Sequence, residues 1–221
     1  MALTFARFTG GMKVPSVRDA HAILAEGERL TPGPWADHCR TAGECARAIA
    51  ACHPEMDAEV AYVMGLLHDV GRRAAGYGLP DAMHVVDGYR HLMELGYDDA
   101  ARICLTHSFP IKDAGAFAAP WGDLHDERRF VQDHLDGVEY TPYDRLIQLC
   151  DSIALPAGPV LMEKRFVDVA LRHGFNALTL DKWRAFMQIK REFDAVTGGS
   201  IYRVLPGVVE NTFGEISLGE P

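Results

Sequence analysis

The sequence lacks the features that mark several classes of protein. Its 221 residues contain five cysteines, an odd number, and no C-x-x-C pair. This pattern indicates reduced thiols and argues against a disulfide framework or a zinc–thiolate site. No apolar run approaches the roughly 18 residues that a membrane-spanning helix needs. Residues 1–14 contain no apolar segment of signal-peptide length either, so we expect a cytoplasmic protein without a membrane partner.

Positive charge is also scarce. The chain has 22 Lys and Arg against 31 Asp and Glu, which gives a formal net charge of -9. Proteins that bind a nucleic-acid polymer present dense Lys and Arg to the phosphates, so this balance argues against such a partner. A small anionic substrate is still compatible with it, because a bound metal ion can dominate the local electrostatic field.

Strand-like alternation, internal repeats and linker-like stretches are absent from the sequence. Helical periodicity dominates, and 48% hydrophobic residues are enough for a sizeable core. We therefore predict an all-α fold in one domain over residues 1–221. Caps and breakers predict helices ending near 28, 52, 69, 95, 107, 135, 155, 173 and 196, with Ser16, Asp57 and Asp81 as N-caps. A glycine-rich loop is predicted over 71–80 and an irregular tail after Gly198.

The dipeptide His68-Asp69 closes an apolar helical run. His68 follows Met64 by four residues and so lies on the face of that helix that points to the core. An ionised carboxylate at the inner end of such a helix is expensive to desolvate unless a positive partner meets it. A metal ion is the partner that this environment favours.

Two predicted helical hairpins bring further histidines to one level. His38 lies 16 residues before the turn at Pro54, and His68 lies 14 residues after it. His84 and His107 flank the next turn in the same way, although His91 is a rival to His84 on nearly the same face. Because equal distances from a tight turn place residues level in an antiparallel pair, each pair of rings can meet in the core.

A buried acidic residue completes the set. Asp151 lies in a nearly all-apolar helical run and is predicted to point inward. Any one of these residues alone is more often a hydrogen-bonded core residue than a ligand. Together they form a nitrogen and carboxylate set that suits iron, manganese or zinc. Six ligands exceed what one open catalytic ion takes, which favours two divalent metal ions bridged by a carboxylate; the set is His38, His68, Asp69, His84, His107 and Asp151.

In order and spacing, this series resembles the HD-domain superfamily, in particular its members with an H…HD…H…H…D pattern. The resemblance covers about residues 31–174, which it implies are the core of an HD-like helical bundle with a C-terminal helix and tail at 175–221. It implies that Asp69 bridges one metal, held with His38, His68 and Asp151, to a second held by His84 and His107. The Gly-Lys pair common after the HD motif is replaced here by Gly71-Arg72, which exchanges a point charge for a planar donor fork.

The resemblance implies hydrolysis of a small phosphate ester or nucleotide through a hydroxide that bridges the metals. Arg72 and Asp69 are then the expected catalytic residues, and Arg72, Ser108 and Lys112 are the expected substrate-binding residues. The alternative is a di-iron oxygenase that cleaves a C–C or C–P bond, since the ligand set is the same. A third interpretation is a metal-dependent binding protein without turnover, against which the intact ligand set argues.

The remaining expectations concern residues outside the ligand set. Arg73 is expected to be surface charge and Trp35 to be core, while Lys164 and Arg165 lie close enough in sequence to reach the site. The tail is expected to pack on the body or on a second subunit, so a homodimer is compatible with the sequence. The other histidines are expected at the surface, namely His21, His53, His125, His134 and His173.

Overall fold

The computed structural model describes residues 11–77 and 81–214. The fold is all-α, as predicted, with a single two-stranded hairpin in the described residues (Ala154–Leu155 paired antiparallel with Gly158–Pro159) that the sequence did not reveal. The helices are α1 (Val17–Leu30), α2 (Trp35–Ala50), α3 (Ala58–Leu67), α4 (Met83–Glu94), α5 (Asp98–Thr106), α6 (His125–Gly137), α7 (Pro142–Asp151), α8 (Met162–His173), α9 (Thr179–Val196) and α10 (Val208–Phe213). Short 3-10 helices cover Val70–Tyr77, Ala114–Ala116 and Ile201–Arg203.

Helices α2 and α3 form the predicted antiparallel hairpin and approach each other closely. A Cβ added to Gly65 would lie 2.7 Å from the Gly43 Cα and 2.9 Å from the Ala42 carbonyl oxygen. Real side chains do not tolerate such distances, so only glycine fits at this crossing. The close approach brings the start of α2 level with the end of α3, where the HD dipeptide lies.

Helices α4 and α5 form the second predicted hairpin, with Gly96 in the left-handed conformation at the turn (φ 81°). The predicted glycine-rich loop is wrong in its first part. Val70–Tyr77 is a 3-10 helix that packs against α4, and the backbone at Gly71 lies against the His84 carbonyl and the Gly88 amide. This contact couples the HD dipeptide to the helix that carries His84; residues 78–80 lie outside the described residues.

Two predicted helix caps are confirmed and one is wrong. The Ser16 hydroxyl accepts a hydrogen bond from the Asp19 amide, and the Asp57 carboxylate accepts from the Glu59 and Val60 amides. Asp81 does not cap α4, whose N-cap is Ala82 without a side-chain bond. The Asp81 carboxylate instead pairs with Arg72.

The largest buried cluster continues from the first hairpin into the C-terminal part of the chain. It joins Ala42 and Met64 to residues of α7, and then to the apolar faces of α9 and α10. The described part of the tail, residues 199–214, is therefore more regular than predicted, since Ile201 is fully buried and Val208 begins a helix on the body. None of the helices in the described ranges combines the length and apolarity that a bilayer crossing needs.

Candidate metal centre

The ends of α2, α3 and α7 bring three predicted ligands together. His38 Nε2 lies 3.0 Å from Asp151 Oδ1 and 3.2 Å from His68 Nε2. His68 Nε2 lies 3.8 Å from the same Asp151 oxygen. One ligand atom from each of these residues lies within 4.8 Å of the others, which is close enough for a single cation.

Asp69 lies close to both histidines of the second hairpin. Its Oδ1 lies 3.0 Å from His84 Nε2 and 3.4 Å from His107 Nε2. His68, Asp69 and His107 form a second compact group of ligand atoms. All six predicted ligands therefore lie in one cluster, and His68 and Asp69 lie between its two halves.

Backbone carbonyls orient three of the four rings. The Nδ1 atoms of His68, His84 and His107 lie 2.7, 2.5 and 3.2 Å from the carbonyl oxygens of Gly65, Asp81 and Ile103. A carbonyl oxygen only accepts, so each Nδ1 must be the donor. In a neutral ring this leaves Nε2 without a proton. Histidines that bind a metal through one ring nitrogen commonly donate the N–H of the other nitrogen to a carbonyl in this way.

Two buried atoms in the cluster lack a partner. Asp69 Oδ1 and His84 Nε2 are 3.0 Å apart, yet neither has a hydrogen-bond partner in the part of the chain that the structure describes. A carboxylate oxygen and an unprotonated ring nitrogen both present lone pairs and repel each other at this distance. A cation beside both atoms removes this conflict, so the residues present fit a divalent metal.

The protonation states also suit metal binding. Burial would raise the pKa of Asp69, but opposing interactions, of which the charge of Arg72 is the largest, hold it well below its usual range. Burial acts in the same sense on Asp151, where the hydrogen bond from His38 is the first of several interactions that together outweigh it and lower the pKa. Burial lowers the pKa of both His38 and His68. The carboxylates are therefore ionised and these two imidazoles neutral near pH 7, which are the forms that bind metals.

A pocket that is partly open to solvent lies over the cluster. Asp69, His84, His107 and Asp151 line its inner end. The opposite wall belongs to α8, α9 and the segment between them. That wall presents both polar and apolar side chains, namely Arg165, Phe166, Arg172, His173, Asn176, Thr179, Lys182, Trp183 and Phe186.

Arg72 and Ser108, which were predicted to bind substrate, both line this pocket. The Arg72 guanidinium is already engaged by two carboxylates. Its Nε donates to Asp69 Oδ2 at 2.5 Å and its NH1 to Asp81 Oδ1 at 2.5 Å. Arg72 therefore fixes the orientation of Asp69, so that Oδ1 faces the histidines, and only its remaining N–H groups are free for a substrate.

Lys112, the third predicted substrate residue, does not line the pocket. Its exposed ammonium donates to the Val138 carbonyl oxygen and lies 5.5 Å from the centroid of the Tyr140 ring. In the sequence analysis Lys112 was a candidate only as a cation that could clamp a phosphate. The chain turns away after Phe109, whose backbone oxygen accepts from the Tyr140 hydroxyl, and this long-range contact left no signal in the sequence.

Cations from the C-terminal helices, rather than Lys112, line the pocket. Arg165 reaches the cluster, with NH2 3.9 Å from Asp151 Oδ1, whereas Lys164 bonds the carbonyl oxygens of Asn211 and Thr212. Lys182 and His173 line the pocket too, and His173 is half-buried, which is less exposed than predicted. The helical periodicity of α9 could have indicated Lys182 as a neighbour of its apolar face.

The other histidines and aromatic residues lie apart from the cluster. His91 is half-buried on α4 and does not line the pocket, while His84 faces Asp69. His53 is buried and His134 half-buried, so both are less exposed than predicted; His21 and His125 are exposed as predicted. Trp35 is half-buried and packs on the cluster around α1, where its indole N–H donates to the Thr31 carbonyl oxygen.

Comparison with known proteins gives one match. A family model described as the HD domain matches residues 35–155, which is more than half of the chain. The matched segment begins at α2 and ends at the short hairpin after α7, and it contains all six predicted ligands. No curated protein and no solved structure matches the chain.

Proposed function

Because the chain belongs to the HD domain family, we propose that it is a metal-dependent phosphohydrolase acting on a small phosphate ester or nucleotide. HD domains bind divalent metals and are mostly metal-dependent hydrolases, which supports an enzymatic function. The observation that carries the proposal is the pair of lone-pair atoms, Asp69 Oδ1 and His84 Nε2, buried 3.0 Å apart at the base of a pocket.

The six ligands divide into two overlapping sets. We assign His38, His68 and Asp151, with Asp69, to one ion, and Asp69, His84 and His107 to a second, the identity being iron, manganese or zinc. Such ions would supply Lewis acidity and an activated water. The protein residues have separate tasks: the carbonyl-bonded histidines hold their ring orientation, and Arg72 keeps the Asp69 carboxylate turned toward the ligands.

The pocket supports an anionic substrate despite the acidic chain. Arg72, Arg165, Arg172 and Lys182 all line it, and guanidinium and ammonium groups are the usual partners of phosphoryl oxygens. Apolar rings on the same wall exclude water from the reacting group, which strengthens these interactions. The organic part of the substrate would lie against those rings.

The reaction class is tested by loading the protein separately with manganese, zinc and iron(II). Each preparation is then assayed on a panel of nucleotides and sugar phosphates, with and without oxygen. We expect phosphate release that persists without oxygen and stops when the metal is removed. Oxygen uptake by the iron(II) form without phosphate release would instead establish oxygenase chemistry, and no turnover with any metal would favour a binding protein.

The ligand assignment is tested with Asp69→Asn, which keeps the shape of the side chain and removes its charge. Because Asp69 is assigned to both ions, we expect metal content per chain to fall by at least one equivalent and phosphate release to fall by roughly a hundredfold or more. Elemental analysis after gel filtration measures the metal. Asp133→Asn, at an exposed position of α6, is the matched control. Full metal content in Asp69→Asn would refute the bridging assignment.

A further inference from the structure

Lys182 lies outside the segment that matches the HD domain and yet lines the pocket of the metal centre. It stands on α9, some 27 residues beyond the end of the matched range at 155. Among the residues that the structure describes, its Nζ donates to one oxygen, the carbonyl of Ala116 at 3.2 Å. Two other lysines, Lys13 and Lys190, form ion pairs with aspartates. Lys112 and Lys164, like Lys182, bond carbonyl oxygens, but of these three only Lys182 lines the pocket.

This position is costly for the fold. An ammonium has three donors, so two N–H groups of Lys182 remain for the pocket. Burial lowers the pKa of Lys182 to about 8, while the charge of Asp151 opposes that effect and Arg165 adds to it. A charge held in partly desolvated surroundings without a carboxylate destabilises the folded state. Residues that destabilise the folded state and lie next to a candidate reaction centre are typically retained for function.

The surroundings of Lys182 connect it to the metal ligands. Ala116, whose carbonyl oxygen accepts its hydrogen bond, precedes Phe117, and the Phe117 ring lies 5.7 Å from that of His84. On the neighbouring helix α8, Arg165 also lines the pocket; its guanidinium donates to Asp168 at 2.6 Å and lies 3.9 Å from Asp151 Oδ1. Both cations thus line the pocket that contains the proposed ligands, and Lys182 is the one of the two that no carboxylate in the described residues pairs with.

We propose that Lys182, assisted by Arg165, binds the phosphoryl oxygens of the substrate and selects for dianionic phosphate monoesters. The inference rests on the proposed function and extends it to the substrate class and to a residue beyond the matched domain. Lys182 takes the place that the sequence suggested for Lys112. Arg72 cannot fill that place alone, because Asp69 and Asp81 already engage it. A phosphate diester, with one negative charge, would use these cations less fully.

The experiment compares manganese-loaded wild type with Lys182→Met, Lys182→Arg and the control Lys190→Met. Lys190 lies on the same helix but pairs with Asp194 and does not line the pocket. Calorimetry measures the binding of inorganic phosphate, and steady-state assays compare a monoester with a diester. Thermal unfolding and metal analysis accompany each variant.

We expect Lys182→Met to weaken phosphate binding about tenfold or more and to lower kcat/KM for the monoester more than for the diester. Its metal content and melting temperature should equal or exceed those of wild type, since methionine removes a charge that burial penalises. Lys182→Arg should restore most of the affinity, and Lys190→Met should bind phosphate like wild type.

Three results would overturn the inference. They are phosphate binding by Lys182→Met equal to wild type, equal losses on monoester and diester, or a lower melting temperature that accounts for the weaker binding. A failure of the proposed function would give a different set of results. In that case wild type would bind phosphate through Lys182 but release none from any substrate, whereas an enzyme that hydrolyses monoesters without needing Lys182 would refute this inference alone.

Discussion

At the scale of single residues, the orientation of the candidate ligands follows from local helix geometry. His68 and His107 are the C-cap residues of α3 and α5, and each ring donates to a carbonyl three or four positions earlier. The Ile103 carbonyl oxygen also accepts from the His107 amide, but a carbonyl oxygen has two lone pairs, so a carbonyl in the last turn of a helix can accept from such a ring as well. A histidine placed at the end of a buried helix thus has its Nδ1 fixed and its Nε2 presented to the interior.

The buried, neutral histidines make the stability of the metal-free protein depend on pH. The pKa of His38 and of His68 is lowered by burial from 6.5. Below pH 6.5 the unfolded chain therefore binds protons that the folded chain does not, and stability falls as the pH falls toward the folded-state pKa values. We expect the melting temperature of EDTA-treated protein to drop between pH 7 and pH 5.5, measured by circular dichroism.

His68→Gln is the comparison for this pH dependence. It removes one of the titrating rings, so the drop between pH 7 and 5.5 should be smaller than in wild type. Asp69 and Asp151, whose pKa values are lowered, stabilise the fold above about 3.8, and this contribution is lost only at still lower pH. A melting temperature that rises on acidification to 5.5 would contradict the assignment of neutral rings.

At the scale of elements, the contact between the 3-10 helix and α4 positions His84. A Cβ on Gly71 would overlap the His84 carbonyl oxygen and would lie 2.5 Å from the Gly88 amide nitrogen. These are backbone atoms, so the clash can be relieved only by moving α4. We expect Gly71→Ala to destabilise the protein by about 2–3 kcal/mol and to lower its metal content by about one equivalent, because His84 would move away from Asp69.

Gly137→Ala is the matched control for this substitution. Gly137 ends α6, has no heavy atom within 4 Å of an added Cβ, and does not have a positive φ. Alanine there should leave metal content unchanged and stability equal or higher by up to about 1 kcal/mol. Equal effects of the two substitutions on metal content would show that the Gly71 contact does not position the site.

The same elements show how far the sequence could predict the structure. Periodicity and turn residues were enough for helices α1 to α9, though not for α10 or the 3-10 helices. They were also enough for the level pairing of His38 with His68 and of His84 with His107, because this depends on local geometry. Asp81 was misread as a cap because Arg72, whose position is set by the 3-10 turn, binds its carboxylate. Which cations face the cluster depends on how distant helices cover it, and so Lys182 was not predicted.

At the scale of the whole molecule, two parts of the chain enclose the pocket, one inside the matched domain and one beyond it. The first hairpin, the second hairpin and α7 lie within the matched domain and supply the proposed ligands. Helices α8 and α9 lie beyond it and supply the cationic and aromatic wall. A single buried cluster joins α2, α3 and α7 to α9 and α10. The wall is therefore held by the same core as the ligands, and a change in the C-terminal helices would alter the pocket without touching a ligand.

This arrangement predicts how much the metal contributes to stability. Without a cation, two buried carboxylates and the lone pairs of His84 and His68 face one another, and only the folded state assembles all six ligands at one point. A metal at a hundred times its dissociation constant would add about 2.7 kcal/mol to the free energy of unfolding. For a chain of this size that corresponds to roughly 5–10 °C in melting temperature. We expect EDTA to lower the melting temperature of purified protein by about this amount and manganese or iron(II) to restore it.

Asp69→Asn should respond by less than half as much, since it retains at most one ion. If wild type melts at the same temperature with and without metal, while elemental analysis shows that the metal is bound, the ions do not stabilise this cluster and the ligand assignment fails.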